Sequence, residues 1–286
     1  MKTRRIIVAL IILIVVAGNA EGQKKNSFRP FFFIQITDPQ FGMTESDKGF
    51  SIETELYTRA VELINKLSPP FVVITGDLVN NRKILSQITE FKRITAMIDP
   101  EIKVWYSPGN HDVGQVPSRT AIDSFIYDYG HDRFSFIYRN NLFIGLNSPI
   151  IKNKIPGLEE DQFEWLRKII SENKDVSHKV IFTHYPFFIT DADEAEVYSN
   201  ISPDIRKKYL ELFRQQEVDA IFAGHLHKNT SAKYGKMEMT ATSSAGKPHS
   251  EAPPGFRVII VRPDSIVSTY YGLDEAPSKI RTKKKM

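Results

Sequence analysis

The segment Ser107–Asp112, with the sequence SPGNHD, ends a short apolar run that begins at Ile102. The apolar run predicts a buried strand, and the Pro-Gly pair stops the strand and turns the chain. Three polar side chains, Asn110, His111 and Asp112, then follow one another at the carboxyl end of the strand. In open α/β sheets this is the edge at which ligands usually bind. The segment therefore predicts an α/β fold and the edge that carries its chemistry.

The same unit, a strand followed by a polar turn, occurs at four other places. The five turns contain, in chain order, Asp38 and Gln40; Asp77; Asn110 and His111; His184; and His225 and His227. Apolar residues at helical spacing predict helices over 53–67 and 84–98, between the first three strands. This β-α-β-α-β order favours parallel strands joined by helical crossovers. Further predicted elements are helices 118–127, 159–171 and 203–216, a hairpin of 134–138 with 142–147, and strands 179–183, 219–223, 237–242, 256–261 and 266–271.

The residue types in these five turns are those that bind metals. Carboxylate, imidazole and amide oxygen suit divalent Zn, Mn, Fe or Co. A charged Asp is rarely buried unless it is paired or metal-bound. The set offers enough donors for two metals with one shared carboxylate, an arrangement that clamps the oxygens of an in-line displacement. The alternative interpretation is a set of polar turns that cap helices and satisfy backbone groups.

Composition narrows the class of function. The chain of 286 residues has no cysteine, which excludes disulfides, thiolate chemistry and zinc–thiolate sites. Its formal net charge is +4, but eight basic residues lie before residue 6 or after residue 278. The body of the chain is therefore weakly acidic, and we expect no nucleic-acid-binding face.

The N-terminus has the pattern of a secretory signal peptide. Basic residues precede Ile6–Ala17, a run of twelve apolar residues, and small residues follow up to Ala20. The run is shorter than the roughly 20 residues of a membrane span. We expect cleavage after Ala20, export to the periplasm or beyond, and no stable membrane span afterwards; an uncleaved N-terminal anchor is the alternative. Residues 21–30 are predicted to form a linker, 31–272 one domain and 273–286 a basic tail.

Taken together, the five turns resemble a known family. The blocks DPQ (38–40), GD (76–77), GNHD (109–112), His184 and GHLH (224–227) are similar in order and spacing to the signature of the calcineurin-like metallophosphoesterases. The resemblance covers roughly residues 31–272 and includes the predicted hairpin within 129–148. It implies an α/β fold, a four-layer α/β/β/α sandwich of two mixed sheets, with two divalent metal ions at the sheet edge.

The resemblance also implies a role for each residue. The first metal would be bound by Asp38, Gln40, Asp77 and His227, and the second by Asp77, Asn110, His184 and His225. His111 would contact the phosphate and donate a proton to the leaving oxygen. Asp112 is expected to fix the backbone of its turn. The implied reaction is hydrolysis of a phosphate ester by a hydroxide that bridges the two metals.

Two positions depart from the family pattern. The first block usually reads Asp-x-His, but here its third residue is Gln40, a weaker donor than imidazole, which either binds the first metal or hydrogen-bonds to a neighbouring ligand. Asn80 stands where phosphoprotein phosphatases of the family carry an Asp that orients the catalytic His, so we expect its amide to orient His111. The motif DPQFG (38–42) is similar to the calcineurin-like phosphoesterase-domain (CPPED-type) subgroup, typified by a eukaryotic phosphoprotein phosphatase.

Three functions stay open at this point. The first is a phosphomonoesterase acting on a phosphoprotein or a small phosphate ester, the second a phosphodiesterase or nucleotide hydrolase, and the third a non-catalytic binding protein on the same fold. The sequence sets neither the identity of the metals nor the oligomeric state. His131, His178 and His249 lie outside the five blocks and are interpreted as surface or loop histidines, with a substrate-facing role left open for His249.

Overall fold

The structure is a computed structural model that describes residues 28–283. The predicted signal peptide, residues 1–20, and residues 21–27 of the predicted linker lie outside the described part of the chain. Among the residues that the structure describes, no helix has both the length and the apolarity that a membrane crossing requires.

Alternating strands and helices make up the first half of the described chain, as the sequence predicted. The strands are β1 (Phe31–Ile36), β2 (Phe71–Thr75), β3 (Lys103–Ser107), β4 (Phe134–Tyr138), β5 (Asn141–Gly145), β6 (His178–Phe182), β7 (Ala220–Ala223), β8 (Thr230–Tyr234), β9 (Met237–Ala241), β10 (Gly255–Arg262) and β11 (Ser265–Gly272). The helices are α1 (Ser51–Leu67), α2 (Leu85–Thr95), α3 (Asn110–Val113), α4 (Arg119–Tyr129), α5 (Ser148–Lys152), α6 (Leu158–Glu172) and α7 (Pro203–Gln215).

The strands form two mixed sheets. The first has the order β11-β10-β1-β2-β3, with β1, β2 and β3 parallel and β10 antiparallel to both of its neighbours. The second has the order β4-β5-β6-β7-β9-β8, in which β5, β6, β7 and β9 are parallel. The predicted parallel crossovers are therefore confirmed, and the five strands that precede the polar turns are parallel within their own sheets.

Three apolar layers hold four layers of secondary structure together. Along β1, Phe31 and Phe33 face the second sheet while Ile34 and Ile36 face α1, α2 and α4, because successive side chains of a strand point to opposite sides. Between the sheets lies a mainly aromatic core, in which the rings of Phe33 and Phe143 meet edge to face at 5.4 Å. The outer face of the second sheet is covered by α6 and α7. The predicted α/β/β/α sandwich is confirmed.

Local differences from the predicted elements have simple causes. Strand β8 was not predicted, because its sequence TSAKY has no buried apolar residue and it forms the edge of the second sheet. The hairpin turn lies at Arg139 and Asn140, which both adopt positive φ as a two-residue turn requires. In the predicted tail, Leu273 is buried and Ile280 packs against the helix side of the first sheet.

Candidate metal centre

The packing of the two sheets brings the five polar turns together. Asp38 and Gln40 follow β1, Asp77 follows β2 and Asn110 begins α3 after β3, all at one edge of the first sheet. His184 follows β6, and His225 and His227 follow β7, at the carboxyl edge of the second sheet. Six of these seven predicted residues are no more than 4% exposed, and His225 is half-buried. Such burial of polar residues requires partners.

The backbone at this edge is left-handed at most of these residues. Asp38, Gln40, Asp77, His225 and His227 have φ between 41° and 67°. Residues other than glycine rarely adopt this conformation, and each instance costs roughly 1–3 kcal/mol. Five of the seven predicted ligands therefore share a strained conformation, and each lies within four residues of the end of a strand.

His184 lies at the centre of one group of donors. Its Nε2 is 3.2 Å from Oδ2 of Asp77, 3.0 Å from Oδ1 of Asn110 and 3.2 Å from Nδ1 of His225. Its Nδ1 donates to the carbonyl oxygen of Thr75 at 2.9 Å, because a carbonyl can only accept. A single proton on Nε2 satisfies one of the three facing atoms, whereas a cation is shared by all of them. Asp77, His184 and His225 each offer a ligand atom within 4.8 Å of the others.

Asp38 and His227 form a second group. Oδ1 of Asp38 lies 3.2 Å from Nε2 of His227, whose Nδ1 donates to the carbonyl oxygen of Lys247 at 2.6 Å. The other carboxylate oxygen of Asp38 accepts from Thr37 Oγ1 at 2.5 Å and from the backbone N–H of His225 at 3.0 Å. The two groups adjoin, since Oδ1 of Asp38 is 3.9 Å from Nδ1 of His184.

Unpaired buried atoms mark the same place. Asp38 Oδ1, Gln40 Oε1, Asn110 Nδ2 and His225 Nε2 are buried and make no hydrogen bond. Leaving a buried polar atom unpaired costs about 1–3 kcal/mol, so natural proteins seldom keep several side by side. Carboxylate, imidazole and amide donors in one buried cluster fit divalent transition metals.

The electrostatics of the cluster favour a positive charge. Burial opposes ionisation of Asp38 and Asp77, but the neighbouring histidines lower the pKa of both carboxyl groups below the ordinary value. Burial also disfavours a charged His184, yet Asp77 and Asp38 raise its pKa to about 9. Burial and the adjacent His184 lower the pKa of His225 to about 3. The two carboxylates therefore create a field in which a cation is stabilised.

The turn after β3 positions His111. Its backbone N–H donates to Oδ1 of Asp77 at 2.8 Å, which ties it to the cluster. Both oxygens of Asp112 accept backbone N–H groups, from Leu78 at 2.9 Å and Gly109 at 2.8 Å. The prediction that Asp112 fixes this turn is confirmed.

The expected role of the Asn80 amide is wrong. Nδ1 of His111 donates to the backbone carbonyl oxygen of Asn80 at 2.6 Å, not to its side chain. The amide oxygen of Asn80 instead accepts from Nε2 of Gln40 at 3.2 Å. Gln40 thereby turns its own oxygen, Oε1, away from Asn80.

Several contributing groups were not predicted. The carbonyl oxygens of Thr75 and Lys247 hold His184 and His227, and no sequence pattern marks a backbone acceptor. His249 stacks on His227, with ring centroids 4.4 Å apart. His178 was interpreted as a surface or loop histidine, but it is buried at the opposite end of β6, where Nδ1 lies 3.2 Å from Asp219.

The geometry agrees with comparisons to known proteins. The calcineurin-like phosphoesterase profile matches residues 31–229. The chain is 34% identical over 265 residues to serine/threonine-protein phosphatase CPPED1 of Rattus norvegicus, covering 86% of this chain and 85% of that one. The human CPPED1 protein is 34% identical over 270 residues, covering 87% and 86%. A crystal structure of a dimetal phosphatase from Danio rerio has a TM-score of 0.61 at 18% identity, covering 85% of this chain and 96% of that chain. The chain therefore belongs to the calcineurin-like phosphoesterase family of phosphoric ester hydrolases.

Proposed function

We propose that this protein is a two-metal phosphatase that hydrolyses phosphate monoesters, with phosphoserine or phosphothreonine in proteins as the substrate class. The observation that carries the proposal is the buried cluster around His184 and Asp38. It combines ionised carboxylates with imidazole nitrogens and amide atoms that have no hydrogen-bond partner. The CPPED1 relatives, which are named as serine/threonine phosphatases, support the substrate class.

The seven predicted ligands divide into two overlapping sets. We assign Asp38, Gln40, Asp77 and His227 to one metal and Asp77, Asn110, His184 and His225 to the other. When bound, two divalent ions would activate a water molecule and neutralise charge on the phosphate. Asp77 is the shared carboxylate in this proposal, because it lies in the His184 group while its field also acts on Asp38.

His111 is proposed as the group that protonates the leaving oxygen. Since Nδ1–H donates to the Asn80 carbonyl, Nε2 is the nitrogen that exchanges a proton with substrate. The hydrogen bond from the His111 backbone to Asp77 holds the imidazole beside the metal ligands. A positioned acid of this kind contributes roughly 10²–10⁴-fold in rate.

An exposed apolar edge beside the cluster suits a polypeptide substrate. Tyr198 is 61% exposed and its neighbour Val197 is 50% exposed. The Tyr198 ring lies 5.2 Å from the ring of His225, and its hydroxyl accepts from Nε2 of Gln115 at 3.1 Å. We propose that this edge contacts the residues that flank a phosphorylated side chain.

Metal analysis combined with three substrates tests the proposal. We expect two divalent ions per chain and faster hydrolysis of p-nitrophenyl phosphate and a phosphoserine peptide than of bis(p-nitrophenyl) phosphate. Preference for the bis ester would instead identify a phosphodiesterase. Bound metal without turnover of any ester would identify a non-catalytic binding protein.

Two variants test the assigned residues. Asp77→Asn should lower both the metal content and the turnover, while Asp175→Asn, at an exposed carboxylate, should change neither. His111→Ala should reduce turnover of the phosphoserine peptide more than that of p-nitrophenyl phosphate, because p-nitrophenolate leaves without protonation. Equal losses on both substrates would contradict the acid role of His111.

A further inference from the structure

Asp47, outside the five blocks, accepts three hydrogen bonds from side-chain amides. It lies in the loop after β1 with φ of 66°, and its backbone N–H donates to the Gly42 carbonyl at 2.8 Å. Oδ1 accepts from Asn80 Nδ2 and from Gln87 Nε2, both at 2.8 Å, and Oδ2 accepts from Asn81 Nδ2 at 3.4 Å. The residue is exposed, yet its carboxylate accepts from amides of residues that are themselves half-buried or buried.

The chemistry of these groups fixes which atoms donate and which accept along the hydrogen bonds from Asp47 through Asn80 to Gln40. An ionised carboxylate can only accept, so Asn80 must turn its NH₂ group toward Asp47. The Asn80 oxygen then faces the other way and accepts from Nε2 of Gln40 at 3.2 Å. Gln40 is 2% exposed, and its oxygen Oε1 is left buried without a hydrogen-bond partner.

The orientation of the Gln40 amide decides whether it is a ligand. The two ends of an amide have almost the same shape, but only the oxygen can bind a cation. A reversed Gln40 amide would direct its NH₂ group, which cannot bind a cation, at the metal. Position 40 is the one at which the family pattern has a metal-binding imidazole. Something outside Gln40 must therefore select its orientation, and the acceptor at Asp47 does so through Asn80.

We propose that Asp47 is a positioning residue that holds Asn80 so that Gln40 presents its oxygen to the metal centre. The inference rests on the proposed function, since it requires that metals bind. The backbone carbonyl of Asn80 also accepts from Nδ1–H of His111 at 2.6 Å. Asn80 therefore positions both Gln40, the weaker ligand, and His111, the proposed acid.

Metal affinity in Asp47→Asn tests the proposal. An amide at position 47 can donate as well as accept, so Asn80 and Gln40 are free to reverse. Loss of a group that orients a ligand typically lowers metal affinity by about 10–100-fold, and we expect a loss of this size at one of the two metals, measured by chelator competition and elemental analysis. Glu45→Gln is the matched control, because Glu45 lies in the same loop but accepts from Ser51, away from Asn80. Asp47→Ala should act like Asp47→Asn, and thermal melting shows whether each variant is folded.

A second variant, Gln40→Glu, distinguishes an effect of Asp47 on the orientation of the Gln40 amide from a general effect of Asp47 on the structure of its loop. In Gln40→Glu the side chain has two equivalent oxygens, so its orientation no longer matters. Adding Asp47→Asn to Gln40→Glu should cause no further loss of metal affinity, in contrast to its effect on the unaltered chain. An equal loss in both backgrounds, or no loss in the unaltered chain, overturns the proposal for Asp47. Failure of the unaltered chain to bind two metals overturns the proposed function itself and the Asp47 inference with it.

Discussion

Gly224 offers a sharp test of the close approach between the two sheets at the metal cluster. It precedes His225, and a Cβ atom placed on it would lie 1.9 Å from Thr37 Oγ1 and 2.6 Å from Asp38 Oδ2. Its φ is not in the left-handed region, so alanine fits the backbone conformation and only the space is lacking. Gly224→Ala therefore acts directly on the first predicted ligand, Asp38.

The expected size of the effect follows from these distances. An ordinary contact between non-bonded carbon and oxygen atoms is about 3.4 Å, so Thr37 and residue 224 must separate by roughly 1.5 Å. Overpacking of this kind costs about 1–3 kcal/mol of unfolding free energy. In a chain of this size that lowers Tm by roughly 2–12 °C. A displacement of about 1 Å in a catalytic constellation lowers activity about 100-fold, so we expect kcat/KM to fall at least that far.

The assay is hydrolysis of p-nitrophenyl phosphate at saturating metal, combined with thermal melting. Gly235→Ala is the matched control: a Cβ there meets nothing within 4 Å, and its φ of 61° makes alanine unfavourable without affecting the cluster. We expect this control to lose stability, by about 1 kcal/mol, but to keep its activity. If Gly224→Ala retains more than a third of the original kcat/KM, the two sheets do not meet as tightly at Asp38 as the structure describes.

Three further predictions concern the edge of the site, a loop carboxylate and the N-terminus. Tyr198→Ala should raise KM for a phosphoserine peptide several-fold more than KM for p-nitrophenyl phosphate, and equal changes would remove Tyr198 from peptide recognition. Burial opposes ionisation of Glu194, but hydrogen bonds from Asn200 and from three backbone N–H groups lower its pKa to about 2. Because this folded-state pKa lies below the unfolded value, the stabilisation is present above about pH 4.5 and is lost as pH falls toward 2. After allowance for partial exposure, Glu194→Gln should lower the unfolding free energy by about 1 kcal/mol at pH 7 and by less than half as much at pH 3, as measured by urea denaturation. The mature protein should begin at Glu21 in intact-mass analysis of exported material; a chain that keeps residues 1–20 would favour the anchored alternative.

The strain at the cluster explains why a short motif could identify it. Asp38, Asp77 and His225 each lie two residues after the end of a strand and have left-handed φ values, although none of the three is a glycine. Such conformations are costly in isolation and are retained where surrounding structure holds them. The polar blocks and the strained backbone thus occur at the same residues. The sequence shows the polar blocks, and only the structure shows the strain.

The features that the sequence determined by itself depend on residues close to one another along the chain. The continuous apolar run at Phe31–Ile36, the helical spacing over 53–67 and the polar turns after the strands are properties of neighbouring residues, and they were sufficient to predict an α/β fold with its polar turns at one edge. The four-layer sandwich was predicted from the family resemblance that those turns carry. Strand β8 was missed because an exposed edge strand has no apolar periodicity to detect.

The tertiary structure alone decided which atoms meet. The Thr75 and Lys247 carbonyls that set the tautomers of His184 and His227 come from the end of β2 and from the loop after β9. The orientation of Gln40 is set by Asn80, and that of Asn80 by Asp47. The physical reason is that hydrogen bonds depend on donor direction and on distances of a few tenths of an ångström, which arise only when two sheets distant in sequence pack face to face.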